Sequence, residues 1–225
     1  MLEKPKRKGM IISIVGNSSS GKSTLAKLLA KHYGGVLIEE GEPHTYPRRI
    51  QDNLEEKEWN KNLQTILWFR NKQIKNYMVA QKLKEEGNIV ILDTSHYTHM
   101  FYHNELIDPF DRYIANELGR IDLQIFPWPD ITIYIKSTKD TIKEFIAKRK
   151  IKRIYEDEER IKLLERVNNV IEKFFLEYKQ IIPNLIIVER ESVDFLENPK
   201  DFEKLVKIID SKIHPIELGK ETKSM

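Results

Sequence analysis

Residues 10–30 read MIISIVGNSSSGKSTLAKLLA, and the way this stretch divides decides the fold. Met10 to Val15 are almost continuously apolar, which suits a strand buried on both faces. Gly16 to Thr24 follow as GNSSSGKST, glycine and small polar residues interrupted by one lysine. The run KSTLAKLLAKHYG then has the spacing of an amphipathic helix and stops at Gly34 and Gly35. Strand, Gly-x-x-x-x-Gly-Lys-Ser and helix in that order form a loop that wraps phosphates. Glycines let backbone N–H groups turn inward around phosphate oxygens, and the helix N-terminus adds partial positive charge. Gly16, Asn17, Ser18, Ser19, Ser20, Gly21, Lys22, Ser23 and Thr24 are therefore the candidate nucleotide contacts. Lys22 is placed to reach the β and γ phosphates of ATP, and Ser23 to offer its hydroxyl to Mg²⁺.

Outward from this stretch, four more β-rich runs appear: GVLIEE (35–40), NIVILD (88–93), DITIYI (130–135) and NLIIVE (184–189). Helical patterns separate them. KEWNKNLQTILWFRNKQIKNYMVAQKLKEEG predicts one long helix ending at Gly87; DTIKEFIAKRK, DEERIKLLERVNNVIEKFFLEYKQ and NPKDFEKLVKIID predict others. Strands alternating with helices predict an α/β fold with a parallel sheet covered on both faces. Right-handed crossovers bring the strand C-terminal ends to one edge, where ligands bind. Asp93 ends the run IVILD at that edge. It is placed to orient Mg²⁺ through water, to cap the segment DTSHYTHMFYHNEL, or both.

The totals constrain the class. The 225 residues fit one large domain, and 38 basic against 35 acidic residues leave a net charge of +3. That balance is too even to point to a nucleic acid or membrane partner. There is no cysteine, which excludes disulfides and thiolate metal sites. The apolar run near the start is too short for a signal segment, and no stretch approaches the roughly 20 apolar residues of a spanning helix. A cytoplasmic protein is the expectation.

A second site is legible after the second strand. EEGEPHTYPRRI carries Glu40 and Glu42-Pro43, and NLQTILWFR brings Gln64 and Arg70 onto the long helix. An amide can read a base edge, and a guanidinium can grip a phosphate.

Taken together, the phosphate loop, Glu-Pro after strand two, Gln-Thr on a long helix and Asp-x-Ser after strand three resemble the deoxynucleoside kinases. PDITIYIKSTKDTIKEFIAKRK and VERESVDFLENPKDFEKLVKII resemble that family's Pro-Asp strand and closing segment. The thymidylate kinases share several of these features. The resemblance spans roughly residues 10–210. It implies a three-layer P-loop kinase fold over 1–225, with five parallel strands in the order 2-3-1-4-5 and a basic helical lid at approximately 148–160. It makes Glu42 the general base and Gln64 the base-reading residue, with Glu40 and Arg70 beside the substrate. Lid arginines fall at Arg149 and Arg153, and a homodimer is an expectation of the same likeness.

Three departures stand against the family pattern. Thr94 occupies the position where the family has arginine; the lid KRKIKRIYEDEER is longer and lacks glycine; and Arg70 lies six residues beyond Gln64, about 240° around a helix. The expected reaction is transfer of the γ-phosphoryl group of ATP to a nucleoside 5′-hydroxyl. A hydroxyl is a poor nucleophile and benefits from a carboxylate base, whereas a monophosphate acceptor needs cations such as Arg48, Arg49 and Arg70. A thymidylate or other monophosphate kinase is the near alternative, and a polynucleotide-end kinase or non-catalytic nucleotide-binding protein the distant one. His96, His99 and His103 fall on one face if their segment is helical, as surface residues, metal ligands or polar contacts replacing those missing at Thr94. Tyr97 and Phe101 in the same segment suit core packing or stacking on a base.

Overall fold

The computed structural model describes residues 8–56, 63–148, 158–195 and 198–217. The first half runs β1 (Met10–Gly16), α1 (Lys22–Tyr33), β2 (Val36–Ile38), α2 (Arg48–Glu55), α3 (Leu63–Glu85) and β3 (Ile89–Leu92). The second runs α4 (Pro109–Ile125), β4 (Ile131–Lys136), α5 (Lys139–Lys148), α6 (Glu158–Tyr178), β5 (Leu185–Glu189) and α7 (Pro199–Glu217). Short 3₁₀ turns at Pro43–Thr45, Thr98–Glu105 and Arg190–Ser192 join some of these elements.

All pairings are parallel and the order is β2-β3-β1-β4-β5, as expected. β1 is the central strand: Ile12 pairs with Ile91 on one side and Ile131 on the other. Met10, Ile12 and Ile14 face one layer with Leu25 and Leu29 of α1 and Leu205 and Ile209 of α7. Val15 packs in a second cluster with Ile66, Tyr97, Phe101, Phe174 and Phe175, while Ile11 meets Tyr77 and Ala80 of α3 in a third. Each such side chain contributes on the order of 1.5–3 kcal/mol on burial. This apolar strand at the centre, clamped on both faces, fixes where the loop at its end must lie.

Two helices have no counterpart in the sequence reading. α2 occupies the Arg48–Arg49 stretch that reads as a surface turn or acceptor contact; both arginines are exposed, and Arg48 pairs with Asp52 at 2.8 Å. α4 begins where the Asp108 side chain accepts from the Phe110 and Asp111 backbone N–H groups, with Pro109 in the first turn. That Asp-Pro start is a recognisable helix signal.

The segment DTSHYTHMFYHNEL, expected as an α-helix, is instead a bend followed by a 3₁₀ turn. Local hydroxyl bonds compete with helical backbone pairing here. Thr98 Oγ1 donates to the Ser95 carbonyl at 2.9 Å and lies 2.7 Å from Thr94 Oγ1. Ser13 Oγ of β1 donates to the Thr94 carbonyl at 2.9 Å, fastening this segment to the central strand.

Candidate active site

The phosphate loop leaves β1 through a contact that only glycine permits. A Cβ at Gly16 would stand 2.6 Å from the Ile135 carbonyl oxygen of β4. Gly21, at the start of α1, adopts φ +94°, a conformation that disfavours other residues. Between them Asn17 is buried. Its Oδ1 accepts from the Ser18 N–H at 2.8 Å and its Nδ2 donates to the Leu164 carbonyl of α6 at 2.6 Å. The loop is thereby tied to α6. Lys22 Nζ reaches back across the loop to the Asn17 carbonyl at 2.7 Å.

Behind the loop, Phe195 lies within 3.4 Å of where a Gly21 Cβ would be. The buried Arg190 guanidinium sits 4.6 Å from the Phe145 ring centre and 4.7 Å from that of Phe195. The Asp194-Phe195 turn of the closing segment thus supports the loop from below, through aromatic and cation–π contact.

Asp93 ends β3 beside this loop. Its backbone N–H donates to the Ile38 carbonyl at 3.1 Å, holding β2 and β3 level at their ends. The carboxyl is 5 % exposed, and its Oδ1 has no hydrogen-bond partner among the described groups. Burial pushes this carboxyl up to about 6; Lys22 and a hydrogen bond from Ser23 oppose the shift, and Glu40 and Glu39 reinforce it. The 3₁₀ turn at Thr98–Glu105 starts from Tyr97 without a side-chain cap, so Asp93 does not cap it. An orphaned, buried carboxylate oxygen next to a serine hydroxyl and a phosphate loop fits a divalent cation shared with donor phosphates. Among the described residues no group of three His, Asp or Glu side chains holds a metal on its own.

The chain leaving β2 presents three carboxylates. Glu39 pairs with Lys27 at 2.9 Å and is half exposed, a solvated strand end. Glu40 Oε1 accepts from Gln73 Nε2 of α3 at 2.9 Å. Glu42 is exposed and begins the Pro43–Thr45 turn, its carbonyl accepting from Thr45 N at 2.8 Å and Thr45 Oγ1 at 2.7 Å.

Sequence reasoning placed Gln64 and Arg70 beside the acceptor. The structure places Gln64 exposed in the first turn of α3. Arg70 lies on the inward face, its Nε and Nη2 bonded to Asp122 of α4 at 2.6 and 2.5 Å. Burial alone would raise the Asp122 carboxyl, but His99 and Arg70 hold it below the usual carboxylate range. Arg149 and Arg153 lie outside the described residues. Lys22, Ser23, Asp93 and Glu40 are thus brought together; Gln64 and Arg70 point in different directions.

The three histidines are not on a helix surface. His96 is buried against the Tyr77, Tyr97 and Phe126 rings, whose centres lie 4.4, 5.1 and 5.6 Å from its own. His99 Nδ1 lies 3.0 Å from His103 Nε2, and His99 Nε2 lies 3.4 Å from Asp122 Oδ2. Burial holds all three below the ordinary histidine range, His96 and His103 at about 3. Tyr97 and Phe101 pack against Phe174 in the core.

Gln73 is the polar residue the sequence reading passed over. A signal for it exists: Ile66, Arg70, Gln73 and Tyr77 recur at four, three and four residues, one face of a helix. That face turns inward, and Gln73 on it is 5 % exposed.

A parallel sheet with a phosphate loop on its central strand, a buried carboxylate at the next strand and acidic residues on the chain leaving β2 define a P-loop phosphotransferase. The deoxynucleoside kinase family profile matches residues 12–214. The chain belongs to the deoxynucleoside kinase family, whose members phosphorylate deoxynucleosides with a nucleoside triphosphate donor. No protein of the curated set matches it. Among solved structures it is similar to deoxyadenosine kinase from M. mycoides with bound dATP, at 19 % identity and a TM-score of 0.64, over 89 % of this chain and 99 % of that one. The same enzyme with products dCMP and a flexible dCDP gives 18 % identity, a TM-score of 0.64, and 90 % and 100 % coverage. With bound dCTP the values are 20 %, 0.60, 90 % and 100 %. These likenesses show the fold. Among the described residues no helix is long and apolar enough to cross a membrane.

Proposed function

We propose that the chain transfers the γ-phosphoryl group of ATP to the 5′-hydroxyl of a deoxynucleoside. The observation that carries this reading is the juxtaposition of Asp93, with its buried unpartnered oxygen, with Lys22, Ser23 and Glu40. The Glu40 and Glu42 carboxylates on the chain leaving β2 suit a neutral acceptor better than an anionic monophosphate.

Gly16 to Thr24 hold the triphosphate, and Lys22 neutralises charge on the group in transit. Ser23 and Asp93 would hold Mg²⁺, which supplies further charge neutralisation on the donor phosphates when bound. Glu42 accepts the proton of the 5′-hydroxyl as its oxygen forms the new bond to phosphorus and the bond to the β-phosphate oxygen breaks. Arg149 and Arg153 are the proposed lid cations. Gln64 is the proposed base contact, and Arg70 serves the acceptor site by holding Asp122 and His99 in its wall.

The relative's structures with dATP, dCTP and dCMP make deoxyadenosine and deoxycytidine the first acceptors to try. The test is ATP consumption by the pure protein with Mg²⁺, against deoxynucleosides and deoxynucleoside monophosphates in parallel. Turnover with a deoxynucleoside, falling at least tenfold in Glu42→Gln, is the expected result. Turnover only with monophosphates would overturn the acceptor assignment.

A further inference from the structure

We propose that Gln73 is a positioning residue for the acceptor site, acting through Glu40 on the segment Glu40-Gly41-Glu42. The inference rests on the acceptor reading above and adds a residue to it. Gln73 sits on the inward face of α3, between the chain leaving β2 and the chain leaving β3. Its Oε1 accepts from the His99 backbone N–H at 2.9 Å, and its Nε2 donates to Glu40 Oε1 at 2.9 Å.

The order of these two bonds is forced. A backbone N–H can only donate, so the amide must turn its oxygen to His99 and its NH₂ to Glu40. Glu40 in turn must present an acceptor. One side chain thereby joins the segments that leave two adjacent strands, β2 and β3.

The rest of the segment is held from the opposite side. Gly41 adopts φ +96°, a backbone turn that leaves its carbonyl to accept from Tyr46 Oη at 3.0 Å. The Glu42 carbonyl is taken by Thr45. Gly41 and Glu42 are thus fastened through their carbonyls, and Gln73 of α3 fastens the Glu40 carboxylate, one residue beyond the Glu39 carbonyl that accepts from Asn76 Nδ2 of the same helix at 3.3 Å. The Gln73 side chain is buried, and its bond from the His99 N–H lies in the interior, where a hydrogen bond is hardest to replace. Loss of Gln73 releases Glu40, and with it the path of the chain into Glu42.

Two variants separate positioning from packing. Gln73→Leu removes both bonds. Gln73→Glu keeps an oxygen for His99 but sets a second carboxylate against Glu40, so the bond returns only when the pair shares a proton. The other charges that Glu40 influences are Lys72 on α3 and Asp93 at the end of β3; both are unchanged in these variants, and rates are read relative to wild type at each pH. The expected result at pH 8 is a rise of about tenfold in the deoxynucleoside KM, or an equal fall in kcat, in both variants, with the ATP KM within about twofold. At pH 6 Gln73→Glu recovers toward wild type and Gln73→Leu does not. Should Gln73→Leu fail to fold, the two-pH comparison of Gln73→Glu decides alone. Acceptor kinetics within twofold of wild type in Gln73→Glu at pH 8, or a loss in it that pH leaves unmoved, would overturn the proposal. Absence of deoxynucleoside turnover in the wild type would sink the acceptor reading and this inference together, whereas wild-type turnover with unaffected variants would sink the inference alone.

Discussion

Arg70 and Asp122 meet through two parallel hydrogen bonds, 2.6 Å from Nε to Oδ2 and 2.5 Å from Nη2 to Oδ1, joining α3 to α4. The Asp122 side chain is 1 % exposed and that of Arg70 19 %, so the pair is shielded from solvent. Asp122 also faces His99, which stands on the segment after β3. The ion pair therefore ties together three elements: α3, α4 and the segment after β3.

Removing one member leaves a buried charge uncompensated. Asp122→Ala is expected to lose roughly 3–5 kcal/mol of stability. The double variant Arg70→Met with Asp122→Leu removes both charges and is expected to recover most of that loss. Urea unfolding of the three proteins checks this; equal stabilities for Asp122→Ala and wild type would contradict it.

Lys22→Ala is expected to keep the fold and lose turnover by about 10²–10³. Lys22 Nζ donates to the Asn17 carbonyl within its own loop, a contact the remaining backbone can spare. Single-turnover rates at saturating ATP measure the effect, and the melting temperature should move little.

Asn17→Ala cuts the tie between the phosphate loop and α6. Two bonds go, Nδ2 to Leu164 O at 2.6 Å and the Ser18 N–H to Oδ1 at 2.8 Å. The expected result is a loss of about 1–3 kcal/mol in stability and a higher ATP KM, with the deoxynucleoside KM unchanged. Kinetics with each substrate varied in turn distinguish this from a general loss of fold.

Acid should destabilise the free protein well before the carboxylates titrate. His96 and His103 are held at about 3 by burial, against an ordinary value near 6.5. The unfolded chain takes up protons that the native state refuses, so stability is full above about 6.5 and falls as pH drops from there toward about 3. Asp93 works the other way: raised to about 6, it contributes stability that is lost as pH rises from about 4 to 6. His103→Gln, which keeps a polar group beside Asn116, is expected to flatten the fall between pH 6.5 and 4.5. Denaturant midpoints across that range are the measurement; an unchanged slope would show that the ring protonates in place.

The phosphate loop was legible because its chemistry is local. Glycines at 16 and 21, the lysine and the serine act through their own backbone turn and the helix they open. The three inner strands were legible because a strand buried on both faces must be apolar throughout; the edge strands β2 and β5 are partly exposed but still rich in Val, Leu and Ile. Resemblance then supplied their order, which the pairings bear out. The helix at 109–125 escaped because the polar and aromatic run before it reads as helix itself, while its hydroxyl groups bond locally instead.

The surroundings of the loop and of the strand ends depended on pairs distant in sequence, and no local pattern announces these. Arg70 finds Asp122 across 52 positions, Asn17 finds Leu164 across 147, and Gln73 reaches Glu40 across 33. A side chain's residue type fixes what it can donate or accept; the packing of α3 against α4 and the strand ends fixes which partner it meets. The sequence by itself determined a parallel sheet with a nucleotide loop at its centre. Only the tertiary structure decided that Arg70 holds a carboxylate rather than facing open solvent, that the histidines lie in the interior, and that Gln73 joins the segments that leave two strands.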